Sequence, residues 1–248
     1  MYKLILVRHG QSEWNEKNLF TGWTDVDLSS RGVNEAREAG KALKNAGLNI
    51  RYSFTSFLKR AIKTNHLILE EMNLLWIPEE KSWRLNEKHY GSLQGMNKTE
   101  MVEHFGAEQV QLWRRSYDVR PPALSIDDPN HPANDVRYQN INEKGCTPGT
   151  EALVDTVNRI IPLWNNEISE KLKTYKEVIV TAHGNSLRGI IKYLKNISDA
   201  DIMSLNLPTG IPCVFELDVN MKVVKDYFLA DEETLKTLMD EVKNQTKA

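Results

Sequence analysis

The sequence predicts an α/β fold of three layers (α/β/α), with helices covering both faces of a mainly parallel central sheet. Two apolar runs carry that expectation. Leu4 to Val7 is short, continuous and rich in branched side chains, the pattern of a strand buried on both faces, and Val178-Ile179-Val180-Thr181-Ala182 repeats it near the other end. Stretches of helical period lie between them, and strands alternating with helices of that length build α/β architecture. The 248 residues suffice for one substantial core, so 1–248 reads as a single domain.

The elements follow in order. The first strand runs into Arg8-His9-Gly10. Ser29 then offers an N-cap for a helix through about Leu43, in which Val33, Ala36, Gly40 and Leu43 recur at helical spacing. A second helix follows Tyr52-Ser53-Phe54-Thr55, expected to be capped by Ser56, with Leu58, Ile62, Leu69 and Met72 on one face and Lys59, Lys63 and Glu70 elsewhere. Leu74-Leu75-Trp76-Ile77 is either an edge strand at an interface or part of the core. From about Lys98 to Gly145 the charges, Pro121-Pro122, Asp127-Asp128-Pro129 and His131-Pro132 mark an insertion with one helix and a long loop. A third helix is expected directly after Thr147-Pro148. Its buried stripe is Leu153, Val154, Val157, Ile160, Ile161, Trp164 and Ile168, with Pro162 kinking or shortening it. Late strands near Cys213 to Leu217 and Val223 to Phe228 close the sheet. The tail, 231–248, carries Lys236, Lys243 and Lys247 among acidic residues and reads as partly helical.

Composition removes several classes of function. Lys and Arg total 32 against 34 Asp and Glu, a formal charge of -2, so no basic field favours nucleic acid or an anionic membrane. Cys146 and Cys213 are far apart and form no Cys-x-x-Cys pair, which argues against structural zinc and a disulfide framework and for a reducing compartment. The N-terminal apolar run is too short for a signal peptide or a membrane span, so the expectation is a cytoplasmic protein.

The chemistry is concentrated at strand ends. Ligands of open α/β sheets bind outside the carboxyl ends of the strands, where Arg8 and His9 sit, and Gly10 allows close backbone approach there. Read alone, Arg8 pairing with a carboxylate and His9 capping a strand fit equally well. A second strand ends in His183-Gly184-Asn185-Ser186, followed by the amphipathic Leu187-Arg188-Gly189-Ile190-Ile191. A helix N-terminus there aims free N–H groups and positive dipole at an anion, and the two histidines can face each other. Arg60, in the first turn of its helix, opposes the helix dipole, which an anion would offset.

These residues resemble the histidine phosphatase superfamily: the strand with Arg8-His9-Gly10, Thr55-Ser56 followed by Arg60-Ala61, and Ala182-His183-Gly184. Phe20-Thr21-Gly22-Trp23, Leu85-Asn86-Glu87-Lys88-His89-Tyr90-Gly91, Trp113-Arg114-Arg115 and His183-Gly184-Asn185-Ser186-Leu187-Arg188 are similar, in order from Lys3 to about Leu229, to the cofactor-dependent phosphoglycerate mutases. The resemblance implies interconversion of 3-phosphoglycerate and 2-phosphoglycerate in glycolysis and gluconeogenesis, primed by 2,3-bisphosphoglycerate and needing no metal. Minor synthase and phosphatase activities, a homodimer or homotetramer, and a mobile tail that closes over the site go with it.

The resemblance also assigns roles. His9 is implied as the nucleophile, Arg8, Arg60 and His183 as the surround of the migrating phosphoryl group, and Glu87 as the acid/base. Asn15, Thr21, Gly22, Tyr90, Lys98, Arg114, Arg115, Gly184 and Asn185 hold the glycerate, and Ser12, small and polar, stands where related bisphosphoglycerate mutases carry glycine. Gln11 and Lys88 depart from the family's usual glutamate and arginine, and Lys88 lacks an arginine's bidentate reach. Three other readings remain. A hydrolase would keep His9, Glu87 and His183 but would not need Lys98, Arg114 and Arg115. A phosphoanion-binding regulator would not need a complete catalytic set. A metal site of His9, His183 and His89 would sit among arginines that repel a cation.

Overall fold

The computed structural model describes residues 1–143 and 145–244. The sheet is built from β1 (Tyr2–Arg8), β2 (Tyr52–Thr55), β3 (Glu79–Lys81), β4 (Glu177–Ala182), β5 (Cys213–Leu217) and β6 (Val223–Phe228), in the order β3-β2-β4-β1-β5-β6. The first four run parallel, while β5 and β6 join antiparallel at one edge. β1 and β4 lie side by side in the centre with Arg8 opposite Ala182, so the residues that follow, His9 and His183, leave the same edge together.

The helices are α1 (Glu13–Glu16), α2 (Ser30–Asn45), α3 (Lys59–Glu71), α4 (Lys98–Phe105), α5 (Ala107–Arg115), α6 (Leu153–Leu163), α7 (Ser169–Tyr175), α8 (Gly184–Lys195) and α9 (Glu232–Asn244). Alternation along the strands sorts the core into two faces. Leu4, Leu6, Val178, Val180 and Phe215 pack with Ile160, Leu163, Leu172 and Ile190 of α6, α7 and α8. Ile5, Val7, Ile179 and Val214 pack instead with Ala39, Leu43 and Ile68 of α2 and α3. Both Cys146 and Cys213 are buried thiols. Among the described residues no helix is long and apolar enough to cross a membrane.

Several local readings need correction. Ser29 does cap α2, accepting from the Gly32 amide. Ser56 does not cap α3, which begins three residues later because the Ser56 hydroxyl is committed to His183 and to the Leu58 amide. Asp25, from a distant loop, accepts from the Lys59 amide at the start of α3 instead. The insertion holds two helices, since Gly106, at φ 82°, breaks the run between α4 and α5. The helix expected after Pro148 starts only at Leu153. The intervening chain is tied by tertiary bonds from the Leu124 amide to Gly149, the Thr150 hydroxyl to Pro121 and the Glu151 amide to His89. Val154 and Ile161 of its stripe are only half-buried. Pro162 ends the regular helix one residue on, and a π-turn at Trp164–Ile168 carries the chain into α7. Leu74 to Ile77 is a turn; Leu75 and Trp76 are exposed, Ile77 is buried, and the edge strand is Glu79–Lys81. The tail is helical through Asn244; its last four residues, and Lys144 of the insertion, lie outside the described residues.

Candidate active site

The pocket opens at the carboxyl edge of β1 and β4. Its walls are Arg8 and His9, the loop carrying Asn15, Leu19, Phe20, Thr21 and Gly22, Arg60 of α3, Glu87 and Tyr90, Lys98 of α4, Arg114 and Arg115 of α5, Gly184, Asn185 and Arg188 of α8, and Val242 of α9. The apolar cluster of Phe20, Leu93, Met101, Val110 and Trp113 fastens α4 and α5 over the sheet edge, so the insertion becomes one wall. Close approach sets the floor. A Cβ on Gly10 would stand 2.2 Å from the Gly32 carbonyl oxygen, so only glycine lets the loop after β1 rest on α2.

His9 is held as a neutral imidazole with its lone pair on Nε2. Its Nδ1 lies 2.7 Å from the Gly10 carbonyl, which places the proton there, and the Arg60 Nε donates to Nε2 at 3.3 Å. Burial, then Arg60 and Arg8, hold its pKa well below the usual histidine range. His183 faces it, ring centroids 4.9 Å apart and edge to face. Burial, then Arg60 and His9, hold His183 well below that range too. Ser56 Oγ and His183 Nε2 share a hydrogen bond at 2.8 Å; assigned with the hydroxyl as donor, it leaves the His183 proton on Nδ1.

Arg60 is 1% exposed and its guanidinium is oriented by the Thr24 and Gly22 carbonyls at 2.9 and 2.7 Å. Burial pulls it down to about 10, with Glu87 opposing. Glu87 Oε1 accepts from the amides of Lys88 and Asn185 at 2.8 and 3.0 Å. A Cβ on Gly184 would lie 3.6 Å from both Glu87 Oε2 and Arg8 Nε, so glycine keeps that space open between carboxylate and cation. Asn185 donates to the Tyr90 hydroxyl at 3.0 Å and accepts from Arg188 at 2.7 Å.

The pocket is short of negative charge. Arg8, Arg60, Lys98, Arg114, Arg115 and Arg188 line it against the single carboxylate of Glu87. Burial, then Arg114 and Arg8, push Lys98 well below the usual lysine range; burial, then Arg188, brings Arg115 down to about 9. Among the described residues, Arg8 Nε, Thr21 Oγ1, His183 Nδ1 and Arg188 Nε find no hydrogen-bond partner although buried. An unpaired buried donor costs about 1–3 kcal/mol, and phosphate or carboxylate oxygens would satisfy these four. Among the described residues no group of three or more His, Cys, Asp or Glu is arranged for a metal.

Thirteen of the residues singled out from the sequence line this pocket. His183 stands directly behind it, fully buried. Ser12 does not line it: it is fully buried, and its hydroxyl caps α1 by accepting from the Asn15 amide at 3.1 Å. His89 lies away from the other two histidines, its Nδ1 accepting from the Gly91 amide. Sequence reasoning missed Arg188, Leu19, Phe20 and Val242 as pocket walls. It also missed the supporting pair Arg159 and Glu151, joined at 2.7 Å, which holds the carbonyls of Asn86 and Glu87 and the His89 amide. Arg188 carried a readable signal, one helical turn beyond Gly184 on a face otherwise built of Leu187, Ile190 and Ile191.

Residues 4–131 match the histidine phosphatase superfamily, branch 1. A 2,3-bisphosphoglycerate-dependent phosphoglycerate mutase of Porphyromonas gingivalis is 58% identical over 247 residues, covering 100% of this chain and 99% of its own. The mutase of the same description from Elusimicrobium minutum is 56% identical with the same coverage. Among solved structures, a mycobacterial glucosyl-3-phosphoglycerate phosphatase in complex with VO3 superposes with TM-score 0.69 at 20% identity, covering 92% of this chain and 97% of that one. An alpha-ribazole phosphatase from Shigella flexneri gives 0.65 at 18%, covering 90% and 94%, and both show the fold alone. With a neutral histidine pair among arginines at the strand ends and full-length relatives of this identity, the chain belongs to the histidine phosphatase superfamily and, within it, to the 2,3-bisphosphoglycerate-dependent phosphoglycerate mutases.

Proposed function

We propose that this pocket interconverts 3-phosphoglycerate and 2-phosphoglycerate through phosphorylated His9. The observation that carries the reading is a second cationic group, Lys98, Arg114 and Arg115, in the same pocket as the neutral His9. A phosphatase needs only to hold the phosphoryl group it cleaves. A mutase must also hold the other end of the glycerate while the phosphoryl group changes oxygen.

The His9 Nε2 lone pair attacks phosphorus, and the P–N bond forms as the P–O bond breaks. Glu87 gives its proton to the departing oxygen and takes one from the hydroxyl that attacks next. Arg8, Arg60 and the proton on His183 Nδ1 meet the charge on the non-bridging oxygens, a role each keeps in both directions. Asn15, Thr21, Tyr90, Asn185 and the cations of α4 and α5 hold the glycerate, arginines gripping carboxylate or phosphate with paired donors. When bound, 2,3-bisphosphoglycerate supplies the phosphoryl group that first loads His9, and the four unpartnered buried donors suit its oxygens. The cations that line the pocket repel a metal ion and already neutralise phosphate, so the reaction needs no metal. A homodimer or homotetramer, and residence in the cytoplasm, go with this reading.

The test is conversion of 3-phosphoglycerate to 2-phosphoglycerate in excess chelator, with and without a trace of 2,3-bisphosphoglycerate. Strong activation by the bisphosphate despite chelation is expected. Release of inorganic phosphate without 2-phosphoglycerate would overturn the reading.

A further inference from the structure

Lys88 is fully buried, and its ammonium is held by main-chain oxygens. Nζ donates to the carbonyls of Trp113 at 2.6 Å and Arg114 at 3.4 Å and lies 4.8 Å from the centre of the Tyr90 ring. A helix leaves its last four carbonyls without intrahelical partners and carries its negative dipole end there. At the end of α5 the Ser116 amide and hydroxyl take Leu112, Arg188 takes Arg115 at 3.1 Å, and the two carbonyls between fall to Lys88. Arg114 and Arg115 project from this turn. On its other side, the Lys88 amide donates to Glu87 Oε1 at 2.8 Å. One residue thus holds the reacting carboxylate by its backbone and the arginine-bearing helix end by its side chain. Val110 and Trp113 seat α5 on its apolar cluster, and Lys88 adds the polar tie to the main chain of its last turn.

We infer that Lys88 is a positioning residue: by fastening the end of α5 to the Glu87 segment it sets the span between the reacting end of the pocket and the Arg114–Arg115 pair. It acts on substrate affinity rather than on phosphoryl transfer. The inference rests on the mutase reading, because only a substrate with two anionic ends needs that span held.

The ammonium is poorly insulated against deprotonation. Burial, then Arg188, bring it down to about 7, with Arg115 adding to the fall and Glu87 and Glu151 opposing it. The charged and titratable groups facing it are therefore Glu87 and Tyr90 on its own segment, Arg114 and Arg115 on α5, Arg188 on α8 and Glu151 ahead of α6. As pH rises through neutrality the charge-assisted bonds to α5 weaken, whereas a guanidinium in that place keeps its charge.

Steady-state kinetics with 3-phosphoglycerate at saturating 2,3-bisphosphoglycerate, from pH 6 to pH 8.5, test this on the full-length enzyme. Lys88→Met is expected to raise KM about tenfold or more at pH 7 while kcat falls less than about threefold, the size of a lost charge-assisted bond. The ratio of wild-type KM to that of Lys88→Arg is expected to rise about threefold or more across the range; substrate ionisation cancels in the ratio. A kcat loss at unchanged KM in the methionine variant, or a flat ratio, would overturn the inference. If Lys88→Met does not fold, the ratio decides alone. Product identity with the unmodified enzyme tests the mutase reading separately. Were that reading to fail, the dissociation constant for 3-phosphoglycerate by calorimetry would give the same comparison of variants across pH.

Discussion

A histidine is an effective nucleophile toward phosphorus only while it is unprotonated, and at His9 burial and two neighbouring cations secure that state at neutral pH. His9→Ala is therefore expected to abolish both mutase turnover and the acid-labile phosphoenzyme; persistence of either would remove His9 as nucleophile. Glu87→Gln keeps the shape and the amide contacts but loses the proton. Turnover should fall about 10²–10⁴-fold while inorganic phosphate, followed by calorimetry, still binds. At this scale much of the site was legible, since His9, Arg8 and His183 announce themselves as polar residues ending apolar strands. What was not legible depends on distant partners. Arg159 reads as one polar position on a helix, and only the fold shows it gripping the Glu87 carbonyl and Glu151. Ser12 erred the other way, its hydroxyl being spent on a local cap.

Among the elements, α9 is the one whose removal tests its role without touching the chemistry. Val242 enters the pocket wall, and Glu241 reaches Arg31 of α2 at 2.7 Å, an exposed pair worth at most about 1 kcal/mol. That exposed pair adds little to hold α9, the tail expected from the resemblance to close over the site. Deleting 232–248 is expected to lower mutase turnover more than phosphatase turnover, because a phosphohistidine open to water is hydrolysed; equal losses, measured as 2-phosphoglycerate and inorganic phosphate from one reaction, would show that α9 does not shield it. The elements themselves followed where a continuous apolar run or a helical repeat is plain, as in β1, β4 and α2. Their ends did not follow where a distant group intervenes, as when Asp25 meets the Lys59 amide in place of Ser56. The division of the insertion at Gly106 was marked by a glycine of positive φ that composition alone does not distinguish from a loop glycine.

For the whole molecule, buried histidines make folding sensitive to acid. Burial holds His9 and His183 well below 6.5, His89 at about 3 and His131 below its usual range, so below pH 6.5 the unfolded chain takes up more protons than the native one. Stability is therefore full above that pH and declines as pH falls toward the native values. His89 alone accounts for about 2 kcal/mol at pH 5. Thermal unfolding followed by circular dichroism should show a lower Tm at pH 5 than at pH 7, with His89→Gln flattening part of the slope. An unchanged Tm would refute this account. The sheet order has a further consequence, for synthesis. β1 leaves the ribosome first, yet both of its neighbours, β4 and β5, come from the last third of the chain. At the usual pace of translation β1 waits roughly 10–40 s with both edges open, a template for mispairing. His9 meets His183 only after β4 has been made, so the histidine pair cannot form while the first two thirds of the chain are being synthesised.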